Sequence, residues 1–143
     1  MIICKTPFRI SFFGGGTDFP EYYKKFGGCV IGSTIDKYSY IFLRDHPKFF
    51  EHKHRFVWSL NEDFSKFNEI QHPIVKAIYK MMKIEKNLET HHMSDLPGRS
   101  GLGSSSSFCV GLINSFYYKL KKKKLIKLNF IKWQFMLKEI LPK

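Results

Sequence analysis

The sequence predicts an α+β fold in a single domain, because its strand candidates outnumber its helix candidates and the first four strand candidates follow one another. Its 143 residues suit one domain. Hydrophobic residues make up 43% of the chain and aromatic residues 17%. That is enough apolar surface for a packed core, so the composition excludes a globally disordered chain.

The N-terminal half is predicted to be rich in strands that are interrupted by glycines and prolines. A short helix or a turn is predicted from Asp18 to Phe26, since Pro20 suits the start of a helix. Asp36 and Lys37 are predicted to lie in a turn between two strands. The strand candidates are, in order, residues 2–4, 9–13, 29–35, 38–44 and 55–60.

Two helices and one strand are predicted in the C-terminal half. Residues 73–82 carry apolar side chains at helical spacing, and Pro73 suits the helix start. Residues 88–93 are predicted to form a strand that places His91 and His92 on opposite faces, because strand side chains alternate. The apolar segment 108–118 is predicted to be a helix.

The positive charge is concentrated at the C-terminal end. Residues 119–143 contain nine lysines and one acidic residue, so they supply +8 of the net charge of +12. We predict a domain over residues 1–118 followed by a basic, divergent tail over 119–143. Such tails can bind nucleic acid or acidic membranes, but more often they are only solvated.

Composition also indicates the cellular compartment. No segment approaches the roughly 20 apolar residues of a membrane span, and the N-terminus lacks a signal-peptide pattern. The three cysteines, Cys4, Cys29 and Cys109, are odd in number, lack metal-ligand spacing and have apolar neighbours. We therefore expect buried, reduced thiols and a cytoplasmic location.

The most informative stretch is the Gly–Ser loop, residues 94–103, and the serines 104–107 that follow it. Gly101 and Gly103 permit a tight turn, and the serines open a predicted helix, whose free N–H groups and dipole attract anions. The loop is not of the Walker type, because no Gly-Lys-Ser/Thr follows, and it lacks the third glycine of a dinucleotide fingerprint. From the residues alone, a phosphate-binding loop and a flexible linker both stay open.

A second cluster, the triple-glycine loop, is the Gly-Gly-Gly-Thr-Asp segment at residues 14–18. Its glycines allow the backbone to approach a substrate closely, and the Asp18 carboxylate is suited to accept hydrogen bonds from hydroxyl groups. A plain turn is the alternative.

Together, the motifs Pro7-x-Arg9-Ile10, Gly14–Asp18 and Pro97-x-x-x-Gly-Leu-Gly-Ser-Ser resemble the GHMP kinase superfamily over about residues 3–118. The chain is most similar to the sugar-kinase branch, and within it to kinases that act on a heptose 7-phosphate. The resemblance implies the α+β N-terminal domain of that superfamily, a fold like the second domain of a ribosomal protein. It also implies a left-handed βαβ crossover, contrary to the general rule.

The resemblance further implies ATP and Mg²⁺ as cofactors and a sugar phosphate as the phosphoryl acceptor. Ser105 would help to hold Mg²⁺, and Arg9 would support catalysis beside the family's base. The residues implied for sugar binding are Gly15, Gly16, Thr17 and Asp18. The residues implied for ATP binding are Pro97, Gly98, Arg99, Ser100, Gly101, Leu102, Gly103, Ser104, Ser105 and Ser106.

The chain departs from the family pattern after Tyr118. In galactokinase-like members the catalytic aspartate lies beyond the phosphate loop, whereas the last aspartate here is Asp95. We expect that the base and the C-terminal domain are missing and that the chain alone has little or no kinase activity. A frameshift in an adenine tract that encodes Lys121–Lys124 is one hypothesis for the divergent tail.

Two other functions stay open on the sequence. One is a basic module that binds nucleic acid or another anion through residues 119–143, although a nucleic-acid partner is not expected because such tails are more often only solvated. The other is a non-catalytic subunit that pairs with another polypeptide or with itself, since an apolar face left by a missing domain favours association.

Overall fold

The structure is a computed structural model that describes residues 1–98 and 100–121, with the backbone alone for Asp18. Five strands form one mixed sheet, which confirms the predicted α+β class. The strands are β1 (Ile2–Phe13), β2 (Ile31–Asp45), β3 (His54–Val57), β4 (Asn61–Phe64) and β5 (Leu88–Ser94), and the helices are α1 (Pro20–Phe26), α2 (Pro73–Met82) and α3 (Ser104–Lys121). Short 3-10 turns occupy Gly15–Asp18 and Phe67–Glu69.

The strand order in the sheet is β1-β2-β5-β3-β4. Neighbouring strands are antiparallel except for β3 and β5, which are parallel. A parallel pair requires a crossover, and here β4 and α2 lie in the connection from β3 to β5. The left-handed sense that the resemblance implies for this crossover stays a prediction.

The core lies between one face of the sheet and helices α2 and α3. Gly111 lets α3 pack directly on β1, because a Cβ at this position would lie 2.8 Å from Thr6 Oγ1. Each large apolar side chain buried here contributes about 1.5–3 kcal/mol. The side chains with no exposed surface include Ile41, Leu43, Phe56, Val75, Ile78, Leu88, Leu112, Ile113 and Phe116.

The predicted turn at Asp36 and Lys37 is wrong, because β2 continues through both residues. Pro7 pairs with Tyr38 and Arg9 pairs with Thr34, so three residues of β2 face one residue of β1. This bulge places two polar residues inside a long strand, which imitates a turn in the sequence pattern. The two candidates on either side of it are therefore one strand.

The expectation that all three cysteines are buried is also wrong. Cys109 is buried and Cys4 is half-buried, but Cys29 is exposed. Its apolar neighbours Val30 and Ile31 are themselves 36% and 59% exposed, so apolar neighbours in the sequence did not indicate burial here.

The predicted boundary between the domain and the tail falls inside α3, which continues to Lys121. Most of the predicted tail, residues 122–143, lies outside the described residues, and the boundary itself stays a prediction. In the part of the chain that the structure describes, no helix combines the length and apolarity needed to cross a bilayer.

Candidate functional site

The Gly–Ser loop lies against the bulged part of β1. The backbone N–H of Arg9 donates to the carbonyl oxygen of Leu102 at 3.2 Å. On the other side of the bulge, Ser107 Oγ donates to the carbonyl oxygen of Pro7 at 2.8 Å. The structure thus joins two motifs that are about a hundred residues apart in sequence, and it places Arg9 beside the loop.

Two glycines give the loop its shape. Gly101 and Gly103 have φ angles of +75° and +72°, a region that favours glycine. A Cβ at Gly103 would also lie 3.1 Å from Arg9 Cγ. Any side chain at this position would therefore strain the backbone and displace the arginine.

The start of the loop is fixed to β2. The Asp95 carboxylate accepts a hydrogen bond from the Tyr38 backbone N–H at 2.8 Å, and the Asp95 N–H donates to the Tyr38 carbonyl oxygen at 3.0 Å. With the contacts to β1 at its other end, the loop is held on both sides. The loop therefore has a defined turn structure, which does not support its interpretation as a flexible linker.

Helix α3 begins with backbone N–H groups that are available to a ligand. Its first helical hydrogen bond runs from the Ser107 N–H to the Gly103 carbonyl oxygen at 2.9 Å. The N–H groups of the residues from Ser104 to Ser106 therefore precede the helical ladder, at the positive end of the dipole. Ser105 is exposed there. This arrangement is suited to a phosphate.

A buried hydroxyl in the loop adds a second indication of a ligand. Ser100 Oγ is shielded from solvent and has no hydrogen-bond partner among residues 1–98 and 100–121. Buried polar atoms are normally paired, so this atom is suited to accept or donate to a bound group. Arg99, which is also predicted to bind ATP, lies outside the described residues.

A cleft of about 410 Å³ opens beside the loop, a size typical of small-molecule sites. Its near side is formed by the loop and by the start of α3. Its far side comes from the β3–β4 turn, the start of α2 and β5. Apart from the loop and the serines of the helix start, the cleft is lined by Trp58, Ser59, His72, Ile74, His92 and Phe108.

The far side is aromatic and uncharged. The His72 ring lies 4.8 Å from the Trp58 ring and 5.3 Å from the Phe108 ring, between centroids. Burial lowers the pKa of His72, against an opposing effect of the Glu62 carboxylate. Burial lowers the pKa of His92 to about 4, and repulsion from His72 whenever that ring is protonated acts in the same direction. Neutral rings beside the positive N-terminal end of α3 suit a ligand that joins a flat, uncharged ring system to an anion.

The prediction that His91 and His92 face opposite sides of their strand is confirmed. His92 Nε2 lies 3.1 Å from the buried Ser39 Oγ, whereas His91 is 42% exposed and pairs with Glu89 at 2.7 Å. The sequence pattern predicted no role for either histidine, and it did not indicate Trp58 and His72 on the far side of the cleft. The one available signal was His72-Pro73 at a helix start, which indicates a cap and not a ligand.

The triple-glycine loop is closed by Thr17. Its Oγ1 donates to the Gly14 carbonyl oxygen at 2.7 Å and lies 3.2 Å from both the N and the O of Cys29. Gly14 has a φ of +81°, and a Cβ there would collide with the Cys29 carbonyl oxygen. The Thr17 hydroxyl is therefore used to hold the loop together.

The rest of the predicted sugar site is open to solvent. Gly15 and Gly16 are exposed, and the Asp18 side chain lies outside the described residues. Gly14 lies five positions after Arg9, which is about 16 Å along an extended strand. The two loops thus lie at separate points along the same strand.

The donor set of the site is compatible with Mg²⁺ only if a ligand supplies most of the oxygens. The described residues contain no group of three or more His, Cys, Asp or Glu side chains that could hold a metal. Mg²⁺ in phosphate sites takes one or two protein groups together with substrate phosphates and water. The exposed hydroxyl of Ser105 at the helix start fits that role.

Comparison with known proteins identifies the family. Residues 71–134 match the family model for the GHMP kinases N terminal domain. Over 124 residues the chain is 31% identical to the D-glycero-alpha-D-manno-heptose 7-phosphate kinase of Campylobacter jejuni, covering 78% of this chain and 36% of that protein. The match to the family model runs to residue 134, so the prediction that the family pattern ends after Tyr118 is wrong.

Solved structures show the same fold. A D-glycero-D-manno-heptose 1-phosphate kinase from Bacteroides thetaiotaomicron superposes with a TM-score of 0.71 at 20% identity, covering 85% of this chain and 42% of that chain. A putative sugar kinase from Campylobacter jejuni gives a TM-score of 0.67 at 26% identity, covering 95% and 46%. The chain spans about a third of its curated relative and less than half of these structures. It belongs to the GHMP kinase superfamily and carries the superfamily's N-terminal domain.

Proposed function

We propose that this chain forms the nucleotide-binding half of a sugar-phosphate kinase, in which ATP transfers its γ-phosphoryl group to the anomeric hydroxyl of a heptose 7-phosphate. The observation that carries the proposal is the Gly–Ser loop, which is closed against Arg9 and opens onto an aromatic cleft. The name of the Campylobacter jejuni relative supports the choice of sugar.

The near side of the cleft would hold the phosphates of ATP. The N–H groups from Ser104 to Ser106 and the tight backbone turn at Gly101 and Gly103 suit three anionic groups in a row. Phosphoryl transfer needs mainly positioning and charge stabilisation, and the Arg9 side chain at Gly103 can supply positive charge. Mg²⁺, held by Ser105 and the phosphates, would neutralise negative charge when bound.

The sugar would bind at the triple-glycine loop. The Thr17 hydroxyl is engaged within the loop, so the backbone of Gly15 and Gly16 and the Asp18 carboxylate would make the contacts to sugar hydroxyls. Carboxylates accept such hydrogen bonds well.

We further propose that the chain alone turns over slowly or not at all. Asp95 accepts a hydrogen bond from the Tyr38 N–H and so is used to hold the loop. The resemblance places the family's base farther along the chain than this carboxylate. Turnover in the range of ordinary kinases, about 1–100 per second, would contradict this part of the proposal.

Calorimetric titration of the full chain with Mg–ATP tests the nucleotide site. Wild type should bind ATP saturably, and Gly103→Ala should weaken binding by about tenfold or more, because a side chain strains the backbone and meets Arg9. Gly16→Ala is the matched control, since a Cβ there meets nothing within 4 Å and the residue lies at the other loop.

Two results would contradict the nucleotide site. One is the absence of saturable ATP binding to wild type. The other is ATP binding that falls steeply with salt and is unchanged in Gly103→Ala, which would favour nonspecific anion binding through residues 119–143.

A further inference from the structure

Glu62 is a buried carboxylate that joins two separate segments of the chain. It lies on β4 with 7% of its surface exposed. Its Oε1 accepts a hydrogen bond from Trp58 Nε1 at 2.9 Å, and its Oε2 accepts one from the Gln71 backbone N–H at 2.7 Å. Hydrogen bonds to a charged acceptor are stronger than neutral ones, so this connection is firm.

The two segments form part of the far side of the cleft. Trp58 belongs to the β3–β4 turn, which its N–H closes on the Leu60 carbonyl oxygen at 2.9 Å. Gln71 directly precedes His72, the residue before α2 whose Nδ1 accepts from the Val75 N–H. The rings of Trp58 and His72 meet edge to face, with an interplanar angle of 81°. Both rings line the cleft.

A buried charge in this place needs a reason, because an apolar residue would pack on the inner face of the sheet at less cost. The carboxylate has two acceptor oxygens that point to two donors, a geometry that no apolar side chain reproduces. What it provides is a fixed spacing between the β3–β4 turn and the start of α2.

We propose that Glu62 is a positioning residue for the nucleotide base: it fixes Trp58 relative to His72 so that the two rings form a preset wall for the base. This inference rests on the proposed function, in which ATP occupies the cleft. The N–H groups proposed for the phosphates lie across the cleft on α3, so Glu62 acts on the base and not on the phosphates.

The test compares two ligands of the full chain, Mg–ATP and inorganic tripolyphosphate with Mg²⁺. Glu62→Gln keeps the shape of the side chain but can accept only one of the two hydrogen bonds. It should raise the Kd for ATP by about tenfold, the effect of one lost charged hydrogen bond, and leave the Kd for tripolyphosphate within about twofold. Glu62→Ala should show the same split more strongly.

Trp58 itself supplies an independent readout. In a Trp133→Phe background, Trp58 is the remaining tryptophan of the chain. Its emission maximum should change in Glu62→Gln, because a neutral amide replaces the carboxylate beside the indole N–H. Trp58→Phe removes that donor, so adding Glu62→Gln to it should weaken ATP binding by a smaller factor than in wild type.

Glu69→Gln is the matched control. Glu69 is an exposed carboxylate on the neighbouring 3-10 turn that also accepts two backbone hydrogen bonds, from Ser65 and Lys66 at 2.8 and 3.1 Å. It does not line the cleft, so its replacement should change neither Kd.

The outcomes separate this inference from the proposed function. If wild type binds ATP more tightly than tripolyphosphate and Glu62→Gln keeps that preference, Glu62 does not position the wall and the inference fails alone. An equal rise in the Kd of both ligands would also overturn the inference, because it would show that Glu62 only supports the structure. If wild type does not bind ATP at all, the proposed function fails and the inference falls with it. Glu62→Gln carries the test if Glu62→Ala does not fold.

Discussion

The two glycine loops are attached to the same strand but are supported differently. The Gly–Ser loop is tied to β1 and β2 by hydrogen bonds, and it leads into α3, which is buried along much of its length. The triple-glycine loop is held by Thr17 and Cys29 alone in the described contacts, and it leads into α1, none of whose seven residues is buried. The site beside the middle of β1 is thus packed, whereas the one after its C-terminal end is not.

The difference extends to the apolar side chains around each loop. Phe108 and Phe116 of α3 are 4% and 0% exposed, whereas Phe12, Phe13 and Phe26 near the triple-glycine loop are 58%, 72% and 72% exposed. A site whose surroundings are already packed loses little entropy when a ligand binds. We therefore expect the ATP site to be preorganised and the sugar site to need ordering.

Truncating one phenylalanine near each loop should produce the largest difference between the two regions. Phe116→Ala should lower the free energy of unfolding by about 3–5 kcal/mol, because it leaves a cavity under the sheet. Phe26→Ala should change it by less than about 0.5 kcal/mol, because the ring is largely in solvent. Urea denaturation followed by circular dichroism measures both values. A large loss in Phe26→Ala would mean that α1 is packed in solution.

The sequence predicted the Gly–Ser loop better than the triple-glycine loop, for a physical reason. The Gly–Ser loop is local: its glycines, its serines and the helix after them are adjacent in the chain, so its shape could be inferred from residue types. Trp58 and His72 line the same cleft as the loop through nonlocal contacts such as the pairing of β3 with β5, which no spacing in the sequence encodes. Glu62 was missed because a charged residue occupies an inward strand position where the alternation pattern expects an apolar one.

As the pH falls, the region around the cleft should lose stability at a higher pH than the triple-glycine loop. Burial lowers the pKa of both His92 and His54 from 6.5 to about 4. The unfolded chain binds these protons more readily, so the stability gained from neutral histidines is fully present above pH 6.5 and is lost as pH falls toward 4. Unfolding free energies measured by urea titration should decrease between pH 7 and pH 4.5.

A variant tests the source of that pH dependence. His92→Gln can still hydrogen-bond Ser39 but does not titrate, so it should reduce the decrease in stability between pH 7 and pH 4.5. His52→Gln, at an exposed position outside the cleft, is the control and should keep the full decrease. An unchanged pH dependence in His92→Gln would place the titrating groups elsewhere.

The smallest expected effect compares the hydroxyls that hold each loop. Ser107→Ala removes the hydrogen bond to the Pro7 carbonyl oxygen and should cost about 0.5–1.5 kcal/mol of stability, with a severalfold rise in the Kd for ATP, because β1 and the start of α3 are no longer tied. Thr17→Val removes the contacts to Gly14 and Cys29 at a similar cost, since it is also one hydroxyl. It should leave the Kd for ATP unchanged, because about 16 Å of extended strand separates the triple-glycine loop from Arg9.

Calorimetric titration with Mg–ATP measures the Kd of both variants. Equal losses of ATP affinity in the two variants would mean that β1 couples the loops, and the ATP site would then not be independent of the sugar site.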